Sequence, residues 1–245
     1  MNVFELADAG VRVGERWALR HITLSIGRGE RVGLIGPSGA GKTTLLRLLG
    51  AVVAPSEGSA RLFGYPVATL NSRSRRALQA RIGTVHQHLD LVGPLAVIHN
   101  VNAGNLGRWS LARAAAALVS PPLEPARRAL ERVGLADRIQ ARTDALSGGE
   151  QQRVALARVL VQRPEVVLAD EPVSHLDPAL SSQVMELLRD QPDGVTVVVS
   201  VHEYAYALSH CSRVLGLREG RLVFDARPEV IDEPMLAELY SLERR

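Results

Sequence analysis

A glycine-rich loop between an apolar run and a helical segment constrains this chain more than any other feature. Residues 36–43 read Gly-Pro-Ser-Gly-Ala-Gly-Lys-Thr and follow the short apolar run Arg31–Ile35. Residues 43–49 have the apolar periodicity of an amphipathic helix. The sequence therefore predicts a strand, a tight loop and a helix in direct succession, a unit typical of α/β folds.

The loop fits G-x-x-x-x-G-K-[ST], in which backbone N–H groups cradle phosphates, the lysine reaches them and the hydroxyl, here that of Thr43, binds Mg²⁺. Lys42 is the only lysine among 29 basic residues, so it is poorly explained as generic positive charge. The alternative is a glycine-rich turn that carries a solvated Lys42. We expect a nucleotide phosphate site, and its candidate ligands are Gly36, Pro37, Ser38, Gly39, Ala40, Gly41, Lys42, Thr43 and Thr44.

Composition excludes several other classes of protein. The 245 residues are 46% hydrophobic, but no long uninterrupted apolar run or signal-peptide pattern is present, and we expect a cytosolic location. The lone Cys211 is expected to be an inert residue at a helix end. The net charge of +3 is small and the arginine run at residues 73–76 lacks interleaved aromatic residues. We interpret that run as a solvated helix face, or else as a contact surface for protein or lipid, and expect no nucleic-acid partner.

The order of apolar runs predicts the architecture. Runs at residues 2–6, 21–26 and 59–63 suggest an antiparallel flank, whereas runs at 165–169, 195–200 and 213–217 alternate with helices and indicate a buried parallel sheet. Helical patterns dominate from residue 88 to residue 162. We predict a nucleotide-binding core from residues 1–87 and 163–245, with an inserted helical subdomain at 88–162.

Two adjacent acids follow the apolar run that begins at Val166. Asp170 and Glu171 stand where a parallel strand would end, which is where Mg²⁺-nucleotide chemistry needs carboxylates. Neighbouring strand residues point in opposite directions, so Asp170 is predicted to hold Mg²⁺ and Glu171 to accept a proton from the attacking water. A solvated strand end is the alternative.

Residues 146–153, Leu-Ser-Gly-Gly-Glu-Gln-Gln-Arg, contain a capping box that begins a helix at Ser147. Two glycines in a first helical turn cost about 1 kcal/mol each relative to alanine, which suggests that something approaches the bare backbone. A helix N-terminus is an anion site, so Ser147, Gly148 and Gly149 are predicted to contact a γ-phosphate.

With these three segments together, the chain resembles the ATP-binding subunits of ABC transporters nearly end to end. The resemblance implies a P-loop ATPase fold, ATP and Mg²⁺ as ligands, and further site residues. Gln87 matches a glutamine that contacts Mg²⁺ and the attacking water, and His202 matches a histidine at the γ-phosphate. Asp177 matches a residue of the loop at the dimer interface and is expected to take part in nucleotide binding there.

The resemblance also implies partners. Two copies would close head to tail, with Ser147 and Gly149 of one copy covering the ATP held by Lys42 of the other. The dimer would bind transmembrane permease subunits at the cytoplasmic face of the membrane, and a substrate-binding protein through the complex.

Two positions depart from the family pattern. Val13 stands where an aromatic residue usually stacks on adenine, and we hypothesise that Trp17 compensates. His175 replaces a small residue of the interface loop.

Residues 85–101, 195–203 and 214–225 are most similar to the ATPase subunits of phosphonate importers. The ATPase does not touch the cargo, so this assignment is an analogy. An exporter, a lipoprotein-releasing complex or an importer of another small solute would share the same catalytic residues. A ribosome- or DNA-directed relative would usually need a second cassette or a long coiled coil. A purely structural nucleotide-binding subunit would lack Glu171 or the intact segment at residues 146–153.

Overall fold

The structure is a computed structural model that describes residues 1–86, 89–174 and 176–241. Its strands, in chain order, are β1 (Asn2–Val13), β2 (Arg16–Gly27), β3 (Arg31–Ile35), β4 (Glu57–Leu62), β5 (Tyr65–Pro66), β6 (Ile82–Val85), β7 (Val166–Asp170), β8 (Thr196–Ser200), β9 (Arg213–Arg218) and β10 (Arg221–Ala226). Its helices are α1 (Lys42–Leu49), α2 (Ser72–Gln79), α3 (Val97–Asn102), α4 (Leu111–Val119), α5 (Leu123–Glu131), α6 (Gly148–Gln162), α7 (Pro178–Arg189), α8 (Tyr204–His210) and α9 (Glu233–Tyr240).

Two sheets divide these strands. One has the order β2-β1-β4-β5 and is antiparallel throughout. The other has the order β10-β9-β3-β8-β7-β6, in which all neighbours are parallel except the β9–β10 hairpin. The predicted α/β fold with a mostly parallel sheet and an antiparallel flank is therefore confirmed.

The parallel sheet is buried on both faces. Every residue of β7 and β8 is buried, as expected of central parallel strands covered on both sides. Alternate residues belong to different cores: Val167 and Val199 pack with α6, α7 and α8, whereas Leu168 and Val198 pack with α1 and the antiparallel sheet. The fold is thus layered, with the parallel sheet in the middle.

Between β6 and β7 the named elements are all helical, from α3 to α6. This agrees with the helical content expected there, although the domain boundaries at residues 87/88 and 162/163 stay predictions. The sequence patterns missed two strands, β6 and β10. The four residues of β6 are too few to show a period. No helix in the described part of the chain is long and apolar enough to span a bilayer.

Cys211 lies at the C-terminal cap of α8, as expected. Burial raises the pKa of its thiol to about 12, so at neutral pH it stays a thiol. The arginine run at residues 73–76 lies on α2, which buries Leu78 and exposes Arg73 and Arg76 to solvent.

Candidate functional site

Four parallel strands end at the same edge of the central sheet, and the loops that follow them carry the predicted site residues. In the register, Leu34 of β3 lies opposite Ser200 of β8, and Ser200 lies opposite Asp170 of β7. On the far side of β7, Ala169 lies opposite Val85 of β6. Three segments that are remote in sequence, at residues 36–44, 170–171 and 200–202, are therefore brought to one edge.

The loop after β3 is fixed by its first glycine. Gly36 has a φ of 146°, and a Cβ there would lie 2.0 Å from the carbonyl oxygen of Leu217. No residue with a side chain fits without moving the backbone of β9. The sheet itself therefore holds the start of the loop against its neighbouring strand.

The loop ends at an uncapped helix. Gly41 is the N-cap of α1, no side chain of the described residues caps it, and the first turn contains no acid. The first N–H groups of a helix have no partner inside the helix and carry the positive end of its dipole. This end of α1 is suited to a phosphate group.

Lys42 is buried inside the loop. Only 6% of the residue is exposed, and its Nζ donates hydrogen bonds to the carbonyl oxygens of Gly36 (2.7 Å) and Pro37 (3.1 Å). Burial lowers the pKa of the ammonium group, and the charges of Glu171 and Asp170 oppose that shift. The sole lysine is thus an interior cation at the helix end, which excludes the alternative of a solvated surface charge.

Thr43 and Asp170 line the same cleft, which has a volume of about 120 Å³ and is also bordered by Val85 and His86. A hydroxyl and a carboxylate are hard oxygen ligands of the kind that Mg²⁺ takes together with nucleotide phosphates. The described residues contain no group of three or more His, Cys, Asp or Glu side chains able to hold a metal by themselves. Gln87, which directly follows His86, lies outside the described residues.

Asp170 is held by a serine that the sequence analysis did not single out. Ser200 is fully buried, and its Oγ donates a 2.6 Å hydrogen bond to Oδ1 of Asp170. The same Oγ accepts a hydrogen bond of 3.0 Å from the N–H of Glu171. A serine directly after three valines was the available signal, but only strand pairing shows what it contacts.

Glu171 has a left-handed backbone, with a φ of 49°, which is uncommon for a residue that has a side chain. Its N–H also donates to the carbonyl oxygen of Ser200 (3.2 Å), and its own carbonyl accepts from the N–H (3.2 Å) and the hydroxyl (2.9 Å) of Ser174. These hydrogen bonds hold a strained conformation directly after a metal-binding candidate. Strain of this kind concentrates at functional sites.

His202 and Asp177 have different settings. His202 is exposed in the turn that follows β8, at the same edge of the sheet as Lys42. Asp177 is the N-cap of α7, where its carboxylate accepts a hydrogen bond from the N–H of Leu180 (3.0 Å). Asp177 therefore has a structural role as a helix cap, and its part in nucleotide binding at the dimer interface stays a prediction. His175 lies outside the described residues.

The predicted capping box at the start of α6 is present. The hydroxyl of Ser147 accepts a hydrogen bond from the N–H of Glu150 (3.3 Å), and the Glu150 carboxylate accepts from the N–H and the hydroxyl of Ser147 (2.9 Å each). The hydrogen bonds from the Ser147 backbone and side chain lower the pKa of Glu150. The cap stabilises the start of the helix, but it does not explain the two glycines that follow Ser147.

Different features explain why glycine stands at each of the first two positions of this helix. A Cβ on Gly149 would lie 3.2 Å from Cδ2 of Leu176, so packing within the chain favours glycine there. A Cβ on Gly148 would meet no atom within 4 Å. A ligand that approaches the bare backbone would therefore account for Gly148, whereas for Gly149 the chain's own Leu176 already comes close.

Another link missed by the sequence analysis joins α6 to the acidic loop. Gln152 is buried, and its Nε2 donates a 2.6 Å hydrogen bond to the carbonyl oxygen of Pro172. Pro172 directly follows Glu171. The helix that begins at Ser147 is thus connected to the backbone of the candidate general base.

Trp17 and Val13 lie on the antiparallel sheet. Val13 is exposed. The guanidinium carbons of Arg12 and Arg20 lie 5.1 Å and 5.6 Å from the ring centre of Trp17. Trp17 directly precedes Ala18, whose carbonyl oxygen would lie 2.7 Å from a Cβ on Gly41. The indole is therefore attached to a backbone segment that touches the phosphate loop, and its contact with adenine stays a hypothesis.

Several known proteins are similar to this chain. A family model described as ABC transporter matches residues 19–174. Solved structures are also similar. The dimeric post-hydrolysis state of the ATP-binding cassette MJ0796, bound to ADP and Pi, has a TM-score of 0.79 at 29% identity and covers 92% of this chain and 98% of that one. The cbiO1 structure from Clostridium perfringens, part of the ABC transporter complex cbiONQ, has a TM-score of 0.78 at 26% identity, with 97% and 93% covered.

Two curated relatives are more similar in sequence. The phosphonates import ATP-binding protein PhnC of Anaeromyxobacter dehalogenans is 52% identical over 240 residues, which cover 98% of this chain and 48% of that protein. The protein of the same name from Pseudomonas putida is 44% identical over 242 residues, with 98% and 90% covered. The chain thus spans about half the length of the first relative and nine tenths of the second.

Proposed function

The chain belongs to the ABC transporter family, and on that premise we propose that it is the ATP-hydrolysing subunit of an importer of phosphonate or a related phosphorus oxyanion. The observation that carries the ATPase part is the convergence of Lys42, Asp170 and Glu171 at one sheet edge. The cargo rests on the two relatives named as phosphonates import ATP-binding proteins.

The loop at residues 36–44 binds the nucleotide phosphates. Its N–H groups and the positive end of α1 face the anion, and Lys42 supplies a full positive charge that is already desolvated. A phosphate would replace the Gly36 and Pro37 carbonyls as partner of the ammonium group.

Mg²⁺, when bound, neutralises phosphate charge. Thr43 and Asp170 would hold it, because they are the hydroxyl and the carboxylate of one cleft, and Gln87 is proposed as a further ligand. Ser200 directs the carboxylate of Asp170 by occupying its Oδ1. These residues fit the ion through oxygen atoms, which is the donor type that it prefers.

Glu171 accepts a proton from the attacking water, and His202 contacts the γ-phosphate. Glu171 fits this role because hydrogen bonds from its backbone to Ser200 and Ser174 fix its left-handed conformation directly after Asp170. Two adjacent acids thereby take two tasks, metal binding and proton transfer.

The site of one copy is completed by a second copy. One phosphate loop leaves the γ-phosphate open on one side, and the N-terminus of α6 offers a second positive helix end with an open backbone at Gly148. Ser147, Gly148, Gly149 and Asp177 of the second copy are the proposed contacts. The dimeric state of the similar cassette MJ0796 supports this arrangement.

The partners follow from the transport role. We propose that the dimer binds transmembrane permease subunits at the cytoplasmic face of the membrane as a peripheral component. A substrate-binding protein would act through that complex. The word import in the names of the relatives supports this direction of transport.

The ATPase and dimer proposals are tested together with Glu171→Gln. This variant keeps the shape of the side chain but removes the base, so saturating MgATP should convert it to a stable dimer in size-exclusion chromatography with light scattering. Glu131→Gln, an exposed position on α5, is the matched control and should stay monomeric and hydrolyse ATP. A Glu171→Gln protein that remains monomeric contradicts the proposed dimer.

The cargo is tested by growth. Deletion of the gene should abolish growth on methylphosphonate as the only phosphorus source and leave growth on phosphate unchanged. The wild-type gene should restore growth and Lys42→Ala should not. Undiminished growth of the deletion strain on several phosphonates would exclude this cargo in that host.

A further inference from the structure

Helix α4 has an apolar face that nothing in the described chain covers. Leu111, Leu118 and Val119 are 91%, 68% and 90% exposed. At 100° per residue they lie on one side of the helix together with Ala112 and Ala115, and Arg113 is the only charged residue of α4. Only Ala117 is buried against the rest of the protein. A helix that faced water alone would carry polar residues on this side.

An arginine-rich cleft lies beside this helix. It has a volume of about 510 Å³ and lies between the residues before α4, helix α5 and the end of α6. Its lining includes Trp109 and five arginines, which are Arg108, Arg113, Arg128, Arg132 and Arg163. Glu124 is the one carboxylate among the lining residues that the structure describes.

The charges of this cleft are unbalanced. Glu124 accepts a hydrogen bond from Arg128 at 2.8 Å, and both side chains of this pair are more than half exposed to solvent. The guanidinium group of Arg113 lies 5.2 Å from the ring centre of Trp109. Glu165, outside the lining residues, also interacts with Arg108, but two carboxylates cannot neutralise five guanidinium groups, so the cleft has a local excess of positive charge that an anion would relieve.

We propose that α4 and this cleft form a binding surface for an anionic phospholipid membrane. Guanidinium groups would bind the headgroup phosphates, and Trp109 would lie at the level of the headgroups. Leu111, Leu118 and Val119 would enter the boundary of the acyl chains, as the apolar faces of interfacial helices do. The apolar face of α4 and the arginine-rich cleft are independent features, but they lie next to each other, as binding to an anionic membrane requires.

Other occupants fit less well. A nucleic acid would use the arginines but gain nothing from three exposed aliphatic side chains. A free phosphate would likewise leave the apolar face of α4 uncovered. The membrane uses both halves, and it is present wherever the proposed transporter works. The inference goes beyond the proposed ATPase and does not depend on its cargo.

Helix α2 provides a control within the same chain. It exposes Arg73 and Arg76, and its large apolar residue, Leu78, is buried. This helix has the charge without the apolar face. Removing its arginines changes the net charge by the same amount as removing two from the cleft.

The test is flotation of the purified full chain with vesicles of phosphatidylglycerol and phosphatidylcholine, or of phosphatidylcholine alone, without permease. Leu111→Ser/Leu118→Ser/Val119→Ser should reduce binding at least tenfold, since each aliphatic side chain contributes to interfacial binding. Arg113→Gln/Arg132→Gln should reduce it about 30-fold, at about 1 kcal/mol for each arginine. Arg73→Gln/Arg76→Gln should reduce it less than threefold.

Three outcomes would overturn the proposal. Equal losses in the two arginine variants would mean that only net charge matters. Binding that requires permease in the vesicles would make α4 a protein-docking surface. Calorimetric binding of inorganic phosphate to the cleft, without vesicle binding, would make it a site for a free anion. All variants should keep MgATP binding and melting temperature, so a failure here is distinguishable from a failure of the ATPase proposal.

Discussion

The hydroxyl of Ser200 donates a 2.6 Å hydrogen bond to the carboxylate of Asp170. A hydroxyl has one proton, so the Oγ that donates to Asp170 can only accept from the N–H of Glu171, as observed at 3.0 Å. One buried side chain thus orients a metal-binding candidate and fixes the backbone of the candidate base. Ser200 acts through these acids and is a positioning residue.

Replacing Ser200 tests that role. Ser200→Ala leaves a buried carboxylate oxygen without its donor, so we expect the apparent affinity for Mg²⁺ to fall about tenfold, equivalent to about 1.4 kcal/mol. Ser200→Thr keeps the hydroxyl and should restore it. The measurement is Mn²⁺ binding by electron paramagnetic resonance with a non-hydrolysable ATP analogue. Equal ion affinity in Ser200→Ala and wild type would show that Ser200 does not position Asp170 for Mg²⁺.

The single lysine allows the phosphate site to be probed chemically. Acylating reagents attack only neutral amines, and burial lowers the pKa of Lys42, so its neutral fraction rises with pH earlier than that of an ordinary lysine. We expect ATP to protect Lys42 from acylation, because a phosphate beside the ammonium group raises its pKa and covers it. Mass spectrometry reads out the labelling, and Lys42→Arg removes the one lysine side chain of residues 1–245, so the ATP-protected label should disappear in that variant. Labelling unaffected by saturating ATP would argue against the site.

Gly148 separates folding from function. Its Cβ position is open, so Gly148→Ala should leave the fold intact and stabilise the helix by up to about 1 kcal/mol. If a second copy brings a phosphate against this backbone, the same variant should lower ATP-dependent dimerisation at least tenfold. Thermal unfolding and light scattering measure the two effects. Normal dimerisation would show that the glycine is not required for close approach.

Trp17 is tested by nucleotide affinity. Loss of an aromatic stack on adenine removes about 0.5–1.5 kcal/mol, so Trp17→Ala should weaken ATP binding several-fold. Because a stack is shared by any aromatic ring, Trp17→Phe should keep most of the affinity. Isothermal titration calorimetry of both variants gives the comparison. Unchanged affinity in Trp17→Ala means that Trp17 does not replace the missing aromatic residue.

The sequence predicts those parts of the site that depend on local geometry. The loop around Lys42, the capping box at Ser147 and the acids that end β7 each depend on neighbours a few residues away, and their spacing is visible in one dimension. The buried strands are also recognisable, because central parallel strands form continuous apolar runs.

The remaining parts depend on pairing between distant segments. Ser200 matters because β8 lies beside β7, and Gln152 matters because α6 passes close to Pro172. The difference between Gly148 and Gly149 comes from Leu176, which is 27 residues or more away in sequence. No local pattern contains these contacts. Strand order and helix packing decide them.

The neighbours of β3 have a consequence for how the chain is made. Among the strands that the structure describes, the one that leads into the phosphate loop pairs with β8 and β9 alone, and these follow it by more than 150 residues. During synthesis both edges of β3 stay unpaired until these late strands leave the ribosome, and unpaired strand edges are prone to association. A chain that stops before Arg213 would contain the whole phosphate-binding motif and still lack the strand whose carbonyl confines Gly36. Each molecule therefore becomes able to bind nucleotide only late in its synthesis.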